Sequence, residues 1–173
     1  MRISFNEKVS HDSGILILLQ SSKNLVPTAQ DIDQKLNGQI SRILAHDSFS
    51  FKKGSITKLP HPSNLPYQEI IIIGFSAEKV LSAQDFESLG AKIYGSLDKC
   101  QEKNATVITS GLKEETKGLN PAALIANGIL LKSWRFDQYH TKIEKTDRCQ
   151  TKNWEIICNS PDKARSAFKI LEE

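Results

Sequence analysis

Apolar and polar positions along the chain alternate between strand-like and helix-like periods. Ile3, Phe5 and Val9 mark a first, half-exposed strand, and Ile15–Leu19 is a continuous apolar run of the kind buried on both faces. Thr28 with Asp31 predicts a helix start, and Ile32, Leu36, Ile40 and Ile43 then share one helical face. Phe49 to Leu59 predicts a β-hairpin that turns at Lys53-Gly54. Pro60, Pro62 and Pro66 interrupt regular structure up to Tyr67. Ile70–Ile73 before Gly74 is the strongest strand, because four β-branched residues in a row favour the extended state.

Ser82 and Asp85 open the next helix, whose core face is Phe86, Leu89, Ile93, Leu97 and Cys100. Gly90 and Gly95 each cost that helix roughly 1 kcal/mol against alanine, which close backbone packing would offset. Ala105–Ile108 is another buried strand. Asn120-Pro121 predicts a helix from Ala122 to about Tyr139, with Asn as N-cap and Pro in the first turn. Residues 122–131 are apolar or small nearly all round, which predicts cover on most sides. Trp154–Cys158 is a last strand. Ser160-Pro161-Asp162 opens a final helix with a stripe of Ala164, Ala167, Phe168 and Leu171. The whole predicts a three-layer α/β domain, with helices on both faces of a sheet of five or six strands.

Composition adds limits. The 173 residues suit one domain with a real core. No apolar run approaches the roughly 18–20 residues of a membrane span, and the N-terminus lacks a secretory apolar region, so a soluble cytoplasmic protein is expected. Cys100, Cys149 and Cys158 form no C-x-x-C pair and are expected as reduced thiols. A formal charge of +3 does not argue by itself for nucleic acid or membrane.

Candidate chemistry is sparse. His11, His46, His61 and His140 are scattered without metal-ligand spacing. Asp31/Asp33 and Glu114/Glu115 are the closest acidic pairs, and the latter reads as a solvated turn. There is no Walker A loop, G-x-S-x-G elbow or G-x-G-x-x-G, and Gly74 alone is a weak phosphate signal. Lys52, Lys53 and Lys58 lie along the expected hairpin, while Lys132, Arg135, Lys142, Lys145 and Arg148 follow the apolar helix. These form a solvated face or, as the alternative function, a DNA-binding surface.

The stretch Gly128 to Lys142 is the specific one. Trp134, Arg135, Phe136, Asp137, Tyr139, Thr141 and Lys142 follow a glycine and a small apolar run. This resembles the helix that closes the N-terminal domain in the leucyl (cytosol) aminopeptidase family of metallopeptidases. His140 replaces a basic residue usual there. The resemblance implies a macro-domain-like mixed sheet flanked by helices. Residues 1–159 would be the non-catalytic N-terminal domain, and 160–173 the start of a helix linking to a catalytic domain beyond Glu173.

The parent enzyme would be a cytoplasmic homohexamer that removes N-terminal residues from peptides with two divalent metals, manganese or zinc. Those ligands belong to the family's C-terminal domain. The glycine-lysine-glycine and asparagine-threonine-aspartate-alanine-glutamate-glycine-arginine segments of that domain do not occur here. No catalytic, cofactor-binding or metal-binding residue is therefore assigned, and this chain alone is expected to be inactive. Macro domains proper bind ADP-ribose, a third reading for which the sequence offers no glycine-rich phosphate loop.

Overall fold

The computed structural model describes residues 1–10, 13–46, 49–51, 55–76, 80–112, 120–134 and 149–172. Among these lie β1 (Arg2–Asn6), β2 (Gly14–Gln20), α1 (Pro27–Lys35), α2 (Gln39–Ala45), β3 (Ile56–Pro60) and β4 (Tyr67–Gly74). They continue as α3 (Ala83–Ser96), β5 (Asn104–Ile108), α4 (Pro121–Ser133), β6 (Asn153–Ile157) and α5 (Pro161–Glu172). One six-stranded sheet runs β1-β6-β5-β2-β4-β3. Every neighbouring pair is parallel except β3 with β4. The sheet is thus mixed, with its antiparallel strand at one edge.

Alternation along the strands divides the core into two layers. Ile15, Ile17, Ile71, Ile73, Val107, Trp154 and Ile156 face α3, α4 and α5. Leu16, Leu18, Ile70, Ile72, Ile108 and Ile157 face α1, α2 and Phe49. β2 and β4 therefore need apolar residues at consecutive positions, because both their faces are covered.

The expected single helix through Ile32, Leu36, Ile40 and Ile43 is broken in two. Asn37 and Gly38 both take positive φ, 53° and 75°, which ends α1 and starts α2. Thr28 is not the cap of α1. Val26 holds that position without a side-chain bond, and Pro27 opens the helix. The break is held by Asp33, which is buried. Its carboxylate accepts from Ile40 N at 2.7 Å, Ser41 N at 3.2 Å and the Ser41 hydroxyl. Asp33 in α1 thus satisfies free N–H groups in the first turn of α2. Asp33→Ala is expected to cost about 2 kcal/mol in urea unfolding, the upper range for losing a charged cap.

The hairpin also differs from expectation. Residues 49–51 are not a strand, and Lys53-Gly54 lies outside the described residues. β3 instead pairs with β4, Ile56 opposite Ile73 and Pro60 opposite Glu69, so the proline-containing stretch 61–66 is the turn. Pro60 is tolerated because β3 is an edge strand. Phe49 and Phe51 stack edge to face at 5.1 Å and pack beside the α2 layer. Gly74 is required here, since a Cβ would sit 2.5 Å from Ser50 O. Its role is packing rather than phosphate contact.

Ser82 and Asp85 form a reciprocal capping box on α3. Asn120 caps α4 by accepting from Ala123 N at 3.0 Å, with Pro121 in the first turn. α4 ends at Ser133, short of the expected Tyr139, because Trp134 turns to extended backbone at ψ 116°. The apolar stretch 122–131 predicts cover on most sides. It finds cover within this chain: residues 121–129 are buried by α3, α5 and the sheet. α3 and α4 cross in backbone contact at Gly90 and Gly128. α5 packs through Ala164 and Phe168, with the Phe168 ring 5.6 Å from Phe5 and Arg165 Nη2 donating to Phe5 O at 3.2 Å.

Candidate functional site

Among the described residues, two hollows lie along β5 and β6. The first lies at the carboxyl ends of β5 and β6, beside the N-terminus of α4, where open α/β sheets place their binding crevices. Thr109, Leu112, Asn120, Pro121, Cys158, Asn159 and Ser160 line it. Its volume is about 20 Å³, room for one water rather than a nucleotide. The described residues thus give the ADP-ribose reading no phosphate-sized cavity at this crevice.

The second is a polar hollow of about 400 Å³ on β1, β6 and β5, on the same sheet face as α1 and α2. Its floor is Glu155. Because Trp154 and Ile156 face the three-helix layer, alternation turns Glu155 the other way. The side chain is 2% exposed. Asn6 Nδ2 donates to its carboxylate at 2.6 Å, Ser10 N at 3.1 Å and Thr106 Oγ1 at 3.4 Å, and the Ser10 hydroxyl donates as well. These bonds tie β1, the turn after it and β5 to β6.

Around this carboxylate stand Arg2, Ser4, Asn104 and Asn153, the last donating to Asn104 Oδ1 at 2.9 Å. The described lining contains no histidine, cysteine or second carboxylate. Among the described residues, proton transfer between paired groups has no second partner there. The arrangement can orient a polar group, but its evident work is structural. The sequence reading passed over Glu155, although one acid inside the apolar run Trp154–Cys158 was the available signal.

The residues singled out from sequence do not converge. His46 follows α2 at the surface beside Arg42 and Thr57, and His61 sits in the β3–β4 turn with φ 44°. His11, His140, Glu114 and Glu115 lie outside the described residues. Asp31 is exposed while Asp33 is the internal cap, so the two do not act as a pair. Lys58 is engaged within the chain: Nζ donates to Ser96 O at 2.8 Å and lies 3.5 Å from Glu69. Lys132 is exposed. Lys52, Lys53, Arg135, Lys142, Lys145 and Arg148 lie outside the described residues, as does the 135–142 stretch that carries the family resemblance. Trp134, at its start, is 77% exposed.

Among the described residues, no three His, Cys, Asp or Glu side chains gather as a metal site. The described residues therefore offer no ligand set for a paired-metal centre, which the resemblance places in the family's C-terminal domain. No helix among these residues is long and apolar enough to cross a membrane.

Comparison with known proteins supplies the identity. Residues 16–143 match the family described as "Cytosol aminopeptidase family, N-terminal domain". The protein named "Probable cytosol aminopeptidase" from Rickettsia bellii (strain OSU 85-389) is 29% identical over 98% of this chain and 34% of its own length. "Probable cytosol aminopeptidase 1" from Shewanella oneidensis is 27% identical over 82% of this chain and 28% of its own. A mutant of tomato leucine aminopeptidase has the same fold, with TM-score 0.75, 23% identity, and coverage of 99% of this chain and 35% of that one. The bottromycin maturation enzyme BotP shares it at TM-score 0.61 and 12% identity, over 91% of this chain and 30% of that one. The chain spans about a third of the length of the curated relatives it matches. It belongs to the cytosol aminopeptidase family and corresponds to that family's N-terminal domain.

Proposed function

We propose that this chain is the non-catalytic N-terminal domain of a leucyl-type aminopeptidase, serving stability, assembly and access to the active site. Peptide hydrolysis, with two divalent metals of the manganese or zinc kind, then belongs to a C-terminal domain of the same polypeptide. A cytoplasmic homohexamer is the assembly this reading expects. The observation that carries it is the extent of the match: nearly the whole chain aligns with about a third of a curated cytosol aminopeptidase. The geometry adds support, because the buried carboxylates Glu155 and Asp33 both serve as internal hydrogen-bond acceptors. The surface of α5 is a second support. Its inner side packs on the domain while Ile170 and Leu171 remain exposed, which suits a helix that runs on toward another domain.

The test has two arms. The purified chain with leucine p-nitroanilide and added Mn²⁺ or Zn²⁺ should release no product above the blank, and metal-dependent turnover would overturn the reading. In the second arm, the chain replaces the first third of the Rickettsia bellii relative. That chimera should assemble and hydrolyse the substrate. A folded chimera that neither assembles nor turns over would also count against the proposal.

A further inference from the structure

Cys100 and Cys149 are far apart in sequence but meet where the chain enters β5 and β6. Those strands pair in parallel, with Asn104 opposite Asn153. The same offset carried back toward the N-terminal ends sets Cys100 opposite Cys149. Hydrogen bonds keep the two segments side by side over that distance. Gln150 N, next to Cys149, donates to Cys100 O at 2.8 Å. Thr151 Oγ1 donates to Glu102 O at 2.7 Å, and Lys152 N and Asn153 N share Lys103 O at 3.0 Å.

Facing residues on adjacent strands lie about 4.8 Å apart, within the roughly 4.4–6.8 Å between Cα atoms that a disulfide bridges. Both cysteines pack on the same core cluster. Both are free thiols and partly exposed, whereas Cys158 is buried beyond the other end of β6.

We propose that Cys100 and Cys149 are a modification site: a thiol pair that closes reversibly into a disulfide joining the entries of β5 and β6. The oxidant is a small-molecule disulfide such as oxidised glutathione. The Cys149 thiolate attacks one of its sulfurs, the S–S bond breaks, and one glutathione leaves as thiolate. Cys100 loses its proton and attacks the Cys149 sulfur of the mixed disulfide, releasing the second glutathione. The protein gives up two electrons and two protons, and oxidised glutathione becomes two molecules of glutathione.

The order of attack follows from the surroundings. Burial pushes the Cys100 thiol above its ordinary range, with the neighbouring Cys149 adding to the effect. Cys100 is therefore the slower first nucleophile and the resolving partner. The bond closes a loop that contains β5 and α4.

The experiment equilibrates the folded chain in graded ratios of reduced and oxidised glutathione, traps thiols with N-ethylmaleimide, and reads intact mass and peptide maps. The expected product is lighter by about 2 Da before trapping, with the Cys100 peptide joined to the Cys149 peptide and Cys158 alkylated. Cys149→Ser, checked for native circular dichroism, should show no internal bond and at most a glutathione adduct on Cys100. Wild-type protein that carries only glutathione adducts, or that pairs either cysteine with Cys158, would overturn the proposal. The wild-type map decides the matter even if the variant fails to fold.

Discussion

Gly128→Ala is expected to destabilise the domain by about 3 kcal/mol, lowering its melting temperature by roughly 6–10 °C. The reason is the α3–α4 crossing. A Cβ at Gly128 would lie 2.0 Å from Glu87 O, and one at Gly90 would lie 2.1 Å from Ile125 O. The obstructing atoms are main-chain carbonyls, so no side-chain rotation relieves the clash and the helices must separate. Separation loosens a buried interface and strains the Asn127–Glu87 hydrogen bond, 2.9 Å across the same crossing. Alanine's better helix propensity offsets only about 1 kcal/mol.

Gly95→Ala is the matched control. It lies in α3 with nothing within 4 Å of the added Cβ. That substitution should stabilise by about 0.5–1 kcal/mol. Urea unfolding of both variants checks the pair. If Gly128→Ala were neutral, the two helices would have to cross at a greater distance than described.

Trp154→Ala is the second large effect, expected at about 3–5 kcal/mol. The side chain is 1% exposed, and its ring stacks on Tyr94 with centroids 6.1 Å apart. Truncation leaves a cavity between β6 and the helical layer that the surrounding residues cannot fill. Trp154→Phe should cost much less, about 1–2 kcal/mol. The indole Nε1 is buried and finds no partner among the described residues, so removing it ends an unsatisfied donor. Chemical denaturation followed by circular dichroism separates the two. Equal losses for Ala and Phe would show that the indole nitrogen matters more than the ring's volume.

The helix starts at Ser82/Asp85 and Asn120-Pro121 were readable because each is a local device, completed within three or four residues. The strands β4 and β5 were readable for a similar reason, since β-branched runs favour extended backbone wherever they are placed, and β2 was readable as a short continuous apolar run. The break at Asn37-Gly38 was less visible. The 3.6-residue spacing of Ile32, Leu36 and Ile40 continues through it, and the cap that holds it comes from Asp33 in the preceding helix.

The candidate site was the least legible part. Glu155 gains its meaning from Asn6 and Ser10, roughly the whole length of the chain away. The expected hairpin at 49–59 failed similarly, because β3 had two possible neighbours and chose β4.

Periodicity, caps and β-branched runs were therefore enough to specify a layered α/β domain, while the motif from Gly128 to Lys142 carried the resemblance to this family. Strand order, the burial of α4 by its own domain, and the meetings of Glu155 with Asn6 and of Cys100 with Cys149 emerged only on folding. Local signals act through one turn or one pleat, whereas these contacts depend on which distant segments close the sheet together, and no short window of residues encodes that choice.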